Sequence, residues 1–363
     1  MLKETVNIIG AGPAGLTAAI VLAAKGVPVR VFEIQPDVGW GKNGEFQGIE
    51  NWSTEQEIPR LLHEIGIKLN FLCVPYHSGT VYAPDVPPAA ISSARPIFYL
   101  VKRGDFADSI DVGLKEQALA QGVEIHFNRR VVSPEGPTIM ATGPVRADAV
   151  AFGMTFTTGA ADRSVVLLDD RFAPKGYGYL LTNGGNGTMA AVLYRDFHKG
   201  EGCFANTERF FKEMLGGDIS AGKRFCSYGN YFVRKSCREG NRLYVGESAG
   251  FQDALWGFGL RYAVVSGYLA AKSILDGVDY DLLWQERLRP TFEISLANRC
   301  LFERFGHPGY RYLAGRLRKE NVCEFLGRHY NRTYFKRLLV PLAKSSSGRG
   351  SSDPLPAERR IEV

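Results

Sequence analysis

Apolar and polar positions fall into short blocks with strand and helix periods. Thr5–Ile9 is an apolar run that reads as a strand, and a glycine-rich hexapeptide follows it. LTAAIVLAAKG then reads as an Ala- and Leu-rich helix stopping at Gly26, and Pro28–Ile34 as a second strand with Glu33 near its end. Trp40 to Trp52 is rich in Gly and Asn and reads as a long loop. Thr54–Gly66 reads as a helix, and the prolines of Pro75–Pro96 exclude long helices there. Phe98–Lys102 predicts a strand, Asp105–Gln121 a helix ending at Gly122, and Val123–Val132, Met140–Thr142 and Ala149–Thr157 further strands. Strands and turns dominate Ser164–Tyr194, with a turn at Asn183–Gly187. Thr207–Leu215 reads as helical, Tyr228–Val245 as two short strands, and the chain after Gly259 as helical to about Leu342.

Helix–strand alternation, then a strand-rich middle, then a return to strand and helix is the order expected of a strand-rich domain inserted into a doubly wound nucleotide-binding domain. The length of 363 residues suits about two domains. A chain with 45% hydrophobic and 23% charged residues is neither disordered nor a small disulfide scaffold. Cys73, Cys203, Cys226, Cys237, Cys300 and Cys323 form no CxxC pair, so they read as free thiols and no metal site is expected. No apolar run is long enough to span a bilayer, and the opening MLKETVNIIGAG leads straight into strand and turn without a signal peptide's pattern. A cytoplasmic location is expected, with peripheral membrane contact left open.

Lys and Arg number 44 against 38 Asp and Glu, a net charge of +6. From Arg299 to Lys344 there are eleven Lys and Arg against three Glu, so the positive charge is a local C-terminal block. No nucleic-acid module accompanies it, and no nucleic-acid partner is expected. Phe302, Phe305, Tyr310, Tyr312, Phe325, Tyr330, Tyr334 and Phe335 are interleaved with it. Two readings stand, a packed helical lid with a solvated charged face and a surface for anionic lipid. The tail from Lys344 is Ser-, Gly- and Pro-rich and reads as disordered.

The hexapeptide Gly10-Ala11-Gly12-Pro13-Ala14-Gly15 lies between a strand and a helix. Gly10 permits the tight turn, Gly12 lets backbone close on a pyrophosphate, Gly15 lets the helix pack on its strand, and the helix N-terminus offers free N–H groups. Glu33, followed by Ile34, stands 23 residues after Gly10, where a ribose hydroxyl would lie. An acidic residue there favours FAD or NAD over NADP.

Leu243–Leu260 reads LYVGESAGFQDALWGFGL and leads into RYAVVSGYLAAKSIL. On this segment the chain resembles FAD-dependent oxidoreductases of the p-hydroxybenzoate-hydroxylase fold, specifically the geranylgeranyl reductase family, in which a strand ending in G-D-A-A-G-F-x-D-P-x-x-G-x-G precedes a helix. The resemblance implies FAD, with Gly246 and Glu247 at the ribityl chain and Gly257, Phe258, Gly259 and Leu260 beneath the isoalloxazine. It also implies that the following helix directs its positive end at flavin N1 and O2. Glu at position 247 replaces the family's Asp.

YLVKR, Tyr99–Arg103, is similar to the family's strand–Arg–helix segment and implies Arg103 close to the flavin, with the backbone of Val131 at the adenine. Met140-Ala141-Thr142-Gly143 resembles the strand end that closes over FAD. Phe172-Ala-Pro-Lys-Gly-Tyr177-Gly-Tyr179 is similar to an aromatic motif of the substrate-facing sheet, with Tyr179 in place of Trp; Tyr177 and Tyr179 read equally as core and as substrate wall. In the reductases the stretch Gly41–Trp52 reaches the flavin and often holds a Cys. This chain has none there, and Glu45 and Gln47 are its polar candidates, against a solvated loop. The six histidines are scattered and read as structural. No catalytic residue is assigned.

The implied architecture is an FAD-binding, Rossmann-like α/β domain (1–72, 97–160 and 240–280) with an inserted antiparallel β-sheet substrate domain (73–96 and 161–239). C-terminal helices (281–343) and the disordered tail (344–363) complete it. The implied activity is hydride transfer from reduced FAD to C=C bonds of an apolar, isoprenoid-like substrate or prenyl lipid. Reduced ferredoxin, free flavin or NAD(P)H would be the electron donor. A flavin monooxygenase and a non-catalytic FAD-binding protein are the alternatives. The hydroxylases' Asp-Gly motif is replaced by Ala-Thr-Gly-Pro, and the halogenases' W-x-W-x-I-P is absent.

Overall fold

The computed structural model describes residues 4–132, 134–220, 222–331, 333, 336, 338–341 and 343. The expected disordered tail and the aromatics Tyr334 and Phe335 lie outside the described residues. The chain divides into two units: Met1–Val74 with Phe98–Val145 and Tyr231–Ser295, and Pro75–Ile97 with Arg146–Asn230 and Leu296–Val363.

The first unit is built on a six-stranded sheet in the order Arg238–Glu239, Arg242–Tyr244, Thr138–Met140, Val6–Ile9, Val29–Phe32, Glu124–His126. All neighbours are parallel except the edge hairpin Arg238–Glu239 with Arg242–Tyr244. Val6–Ile9 is central and buried throughout, as a doubly covered parallel strand requires. Helices Pro13–Ala23, Ile110–Ala120 and Leu260–Asp276 belong to the same unit, and Ile8, Leu16, Val31, Ile139 and Val264 share one apolar core. The predicted helix Asp105–Gln121 begins only at Ile110, because Ser109 takes the N-cap and its Oγ accepts the Val112 N–H at 3.1 Å. The strand expected over Val123–Val132 is likewise confined to Glu124–His126.

One expectation is overturned. The Gly- and Asn-rich stretch Trp40–Trp52 is not a long loop: Asn43–Glu50 is a strand. It pairs antiparallel with Phe98–Gly104, with an irregularity between Asn43 and Phe46. Composition misleads here because the pairing partner lies some fifty residues away, and because Glu45 and Glu50 are themselves buried, which hides the apolar alternation of a half-buried strand.

The second unit is a seven-stranded sheet in the order Arg224–Gly229, Ala149–Thr157, Asn186–Leu193, Tyr177–Asn183, Arg163–Leu167, Ser78–Tyr82, Ala89–Ser92. Only Arg163–Leu167 with Ser78–Tyr82 is parallel. Helix Gly200–Met214 joins the core, its Phe204 and Phe211 clustering with Phe152, Leu180 and Met189. The helical run Arg289–Leu317 is divided between the units at Ser295 and is broken at Gly306.

Candidate functional site

The Gly10–Gly15 turn has the geometry its spacing predicts. Gly10 sits at φ +107, and a Cβ there would overlap the Ala141 carbonyl, so only glycine fits. Gly12 is the N-cap of helix Pro13–Ala23 and supplies no side-chain cap, which leaves the first-turn N–H groups to a ligand. Glu33 Oε2 accepts the Ala11 N–H at 2.7 Å and Oε1 the Gln35 N–H at 2.9 Å. That ties the carboxylate to the rim of the turn. The Arg129 N–H donates to the Glu33 carbonyl at 2.9 Å, so the segment leading to half-buried Val131 runs beside Glu33 and exposed Ile34.

Three segments far apart in sequence meet at this turn. The Ala141 N–H donates to Ile9 O at 2.7 Å, bringing Ala141, Thr142 and Gly143 over Gly10. A Cβ on Gly246 would stand 3.1 Å from the Ala14 Cβ. Ser248 Oγ donates to Met140 O and Val245 O, fastening the Gly246–Ala249 turn to the end of the neighbouring strand. Further along, Gly257, Phe258, Gly259 and Leu260 lead into helix Leu260–Asp276, whose N-cap Gly259 again supplies no side-chain cap. The Phe258 ring lies edge-on to Trp52 with centroids 5.0 Å apart. A Cβ on Gly48 would come within 2.5 Å of Phe258, so the Asn43–Glu50 strand supports this loop directly.

Beside it sits a charged cluster. Arg103, at the end of its strand, makes a two-point ion pair with buried Asp111, at 2.8 and 3.0 Å, and donates to Gln47 Oε1 at 2.8 Å. Glu45 and Glu247 also contribute to the field at Arg103. Half-buried Glu247 has its carboxyl pushed up to about 7 by burial, against the opposing pull of Lys42 and Arg103. Glu45 is 1% exposed. The solvated-loop expectation for Glu45 and Gln47 therefore fails: Glu45 is interior and Gln47 is an Arg103 ligand. Lys42 and Asp111 were not singled out in the sequence. Lys42 enters through its ion pair with Glu45 of the 43–50 strand, and Asp111, eight residues after Arg103, through the first turn of helix Ile110–Ala120.

In the second unit Tyr177 and Tyr179 project from one face of their strand with ring centroids 6.4 Å apart. Their cross-strand partners are Val192 and, on the two sides of Tyr179, Ala190 and Val166. The basic C-terminal block is packed in part. Arg299 lies over Tyr194 at 4.0 Å and Phe302 at 4.7 Å, and Tyr310 donates to Asp170 at 2.8 Å. Phe305 and Tyr312 are 58% and 64% exposed. Among the described residues no helix is long and apolar enough to cross a membrane, and no His, Cys, Asp and Glu cluster could hold a metal.

Residues 8–65 match the NAD(P)-binding Rossmann-like domain. The geranylgeranyl bacteriochlorophyll reductase-like protein of Thermoplasma acidophilum superposes with a TM-score of 0.70, at 17% identity over 95% of this chain and 97% of its own. A flavin-dependent brominase superposes with a TM-score of 0.66, at 13% identity over 90% of this chain and 93% of its own. The digeranylgeranylglycerophospholipid reductase of Haloferax volcanii is 24% identical over 353 residues, covering 78% of this chain and 82% of that protein. The chain spans only 35% and 27% of the length of two further curated relatives.

The fold is that of the FAD-dependent oxidoreductases, as the resemblance at Leu243–Leu260 implied. In sequence and fold the chain is similar to geranylgeranyl-reductase-like proteins. FAD is the cofactor such a fold carries, and the residues suit it: a glycine turn that a Cβ would fill, an open helix N-terminus, and a carboxylate at its rim.

Proposed function

We propose that the protein reduces C=C bonds of an apolar, isoprenoid-like substrate. The observation that carries this reading is the similarity to the Haloferax volcanii reductase, which extends over most of both chains. Gly10, Ala11, Gly12, Pro13, Ala14, Gly15 and Glu33, with Ile34 and Val131 alongside, would hold the ADP portion of FAD. Ala141, Thr142, Gly143, Gly246 and Glu247 would follow its ribityl chain, and Arg103 and Gly257–Leu260 would frame the ring. When bound, FAD supplies the hydride. The chain's own residues orient the ring and keep water from it, and half-buried Glu247, with its carboxyl near 7, can hold or release a proton near neutral pH.

The apolar substrate class is supported in the second unit, where Tyr177, Tyr179, Val166, Ala190 and Val192 share one sheet face without a titrating carboxylate, amine or imidazole among them. Exposed Phe305 and Tyr312, with exposed Arg304, Arg316, Arg318 and Lys319 nearby in the sequence, support peripheral contact with an anionic membrane that presents a prenyl lipid. Reduced ferredoxin, free reduced flavin and NAD(P)H are the donors to compare.

The test is anaerobic reduction of the FAD-loaded protein with dithionite, followed by mixing with a geranylgeranylated lipid or with air. Reoxidation by the lipid, with a mass gain of two hydrogens per double bond, is expected. Fast reoxidation by air with the lipid untouched would replace this reading with an oxygen-activating one.

A further inference from the structure

The helical run Arg289–Leu317 is broken at Gly306, whose φ of +50 and ψ of −136 suit glycine. The next residue, His307, meets the turn that precedes the Tyr177–Asn183 strand. There the Asp170 N–H donates to His307 Nε2 at 3.3 Å, and Asp169 Oδ1 lies 3.6 Å from the same nitrogen. A ring nitrogen that accepts a hydrogen bond carries no proton, so the Asp170 contact selects the neutral ring with its hydrogen on Nδ1. The neutral and the charged ring therefore have different partners within reach of one atom, a backbone amide for the first and a carboxylate for the second.

The groups around His307 hold both aspartates in place. Arg171 grips buried Asp169, its backbone N–H and Nε donating to Oδ1 at 2.9 and 3.1 Å and its Nη2 to Oδ2 at 2.6 Å. Asp170 accepts Lys175 Nζ at 2.7 Å and the Tyr310 hydroxyl at 2.8 Å, and the Tyr310 ring centroid stands 5.7 Å from that of His307. Against the opposing effect of burial, Lys175 and Tyr310 hold the Asp170 carboxyl below its ordinary value, so it stays ionised while a histidine titrates. On the same helix Glu303 is engaged by Arg195 and Arg299, and Arg311 by Asp85. The His307 side chain is 37% exposed and so open to protons from solvent. We propose that His307 is a pH-operated latch between the helical segment after Gly306 and the Asp169–Lys175 turn. Deprotonated, it accepts the Asp170 N–H. Protonated, Nε2 becomes a donor, releases that amide and passes to the Asp169 carboxylate, and the Gly306 break absorbs the shift. The turn leads into the strand that carries Tyr177 and Tyr179, so the latch connects solvent pH to one end of that sheet, whatever the substrate.

The experiment follows hydrogen exchange of the Asp170 amide by NMR in the full chain across the range in which histidine titrates, about pH 8 to 5, each rate taken relative to the intrinsic rate at that pH. In wild type the protection is expected to fall about fivefold toward the acid end, the worth of one ordinary hydrogen bond. In His307→Gln the side-chain amide oxygen can accept the same N–H at every pH, so protection is expected to stay within about twofold. Asp169→Asn removes the carboxylate that favours the charged ring, so the fall begins at lower pH. Flat protection in wild type, or a fall of the same size in His307→Gln, overturns the latch. An unmoved profile in Asp169→Asn overturns the transfer to Asp169. Should a variant not fold, the wild-type ring decides alone. At the alkaline end its 15N resonances are expected to show Nδ1 protonated and Nε2 bare, and a proton on Nε2 there overturns the inference.

Discussion

Gly267 offers a sharp test of how the two helices nearest the cofactor turn are spaced. It lies within helix Leu260–Asp276, and a Cβ there would overlap the carbonyl oxygen of Ala14 and come within 3.1 Å of the Ala14 carbonyl carbon and 3.3 Å of the Ala18 nitrogen. The obstacles are backbone atoms of Pro13–Ala23, which cannot rotate aside. In Gly267→Ala the helices must separate by on the order of 1 Å to restore ordinary contact, forfeiting dispersion along the seam. Overpacking of this kind costs about 1–3 kcal/mol. Against it stands the better helix propensity of Ala, about 1 kcal/mol. The net expectation is a loss of up to about 2 kcal/mol.

The displacement has a functional consequence, because Ala14 belongs to the first turn after the glycine motif and also faces Gly246. Separating the helices moves two of the segments proposed to hold FAD. Gly267→Ala should therefore lower the thermal midpoint by about 2–4 °C per kcal/mol and weaken FAD binding on the order of tenfold, measured by quenching of flavin fluorescence. Gly315→Ala is the control. Gly315 is exposed in its helix and an added Cβ meets nothing within 4 Å, so the change should be neutral or stabilising by up to about 1 kcal/mol. A Gly267→Ala protein at least as stable as wild type, with unchanged FAD affinity, would refute the reasoning.

Two further outcomes follow from the charged cluster. Burial raises the Glu247 carboxyl to about 7, so the folded protein holds a proton that the unfolded chain has released, and stability falls as pH rises from the ordinary carboxylate range through about 7. Glu247→Gln should match wild type at acidic pH and remove that slope, which urea midpoints between pH 4 and 8 would check. Asp111→Ala strips Arg103 of its two-point partner in a buried setting and should cost about 3–5 kcal/mol, whereas Asp108→Ala, whose ion pair with Lys102 is exposed, should cost less than about 1 kcal/mol. Equal costs by urea unfolding would contradict the burial argument.

Much of the architecture was legible because its signals are local. The glycine motif, the strand before it, the helix after it and Glu33 at the next strand end fall within about thirty residues, and the Ala11–Glu33 hydrogen bond joins the two ends of that stretch. The Ala149–Thr157 strand was legible for the same reason, an alternation read within one segment. Buried charge is different. Arg261, 4% exposed, meets buried Glu50 from 211 residues away, and Arg103 takes part of its support from Gln47, 56 residues away. Read alone, Gly-rich sequence with Glu at positions 45 and 50 is solvated chain, since an ion has no reason to leave water without a partner. Arg103 could be placed by resemblance, but Asp111 and Gln47, which fix its guanidinium, could not. The residues hidden from sequence reading are thus buried polar and charged groups, each of which leaves water only beside a partner that composition does not reveal.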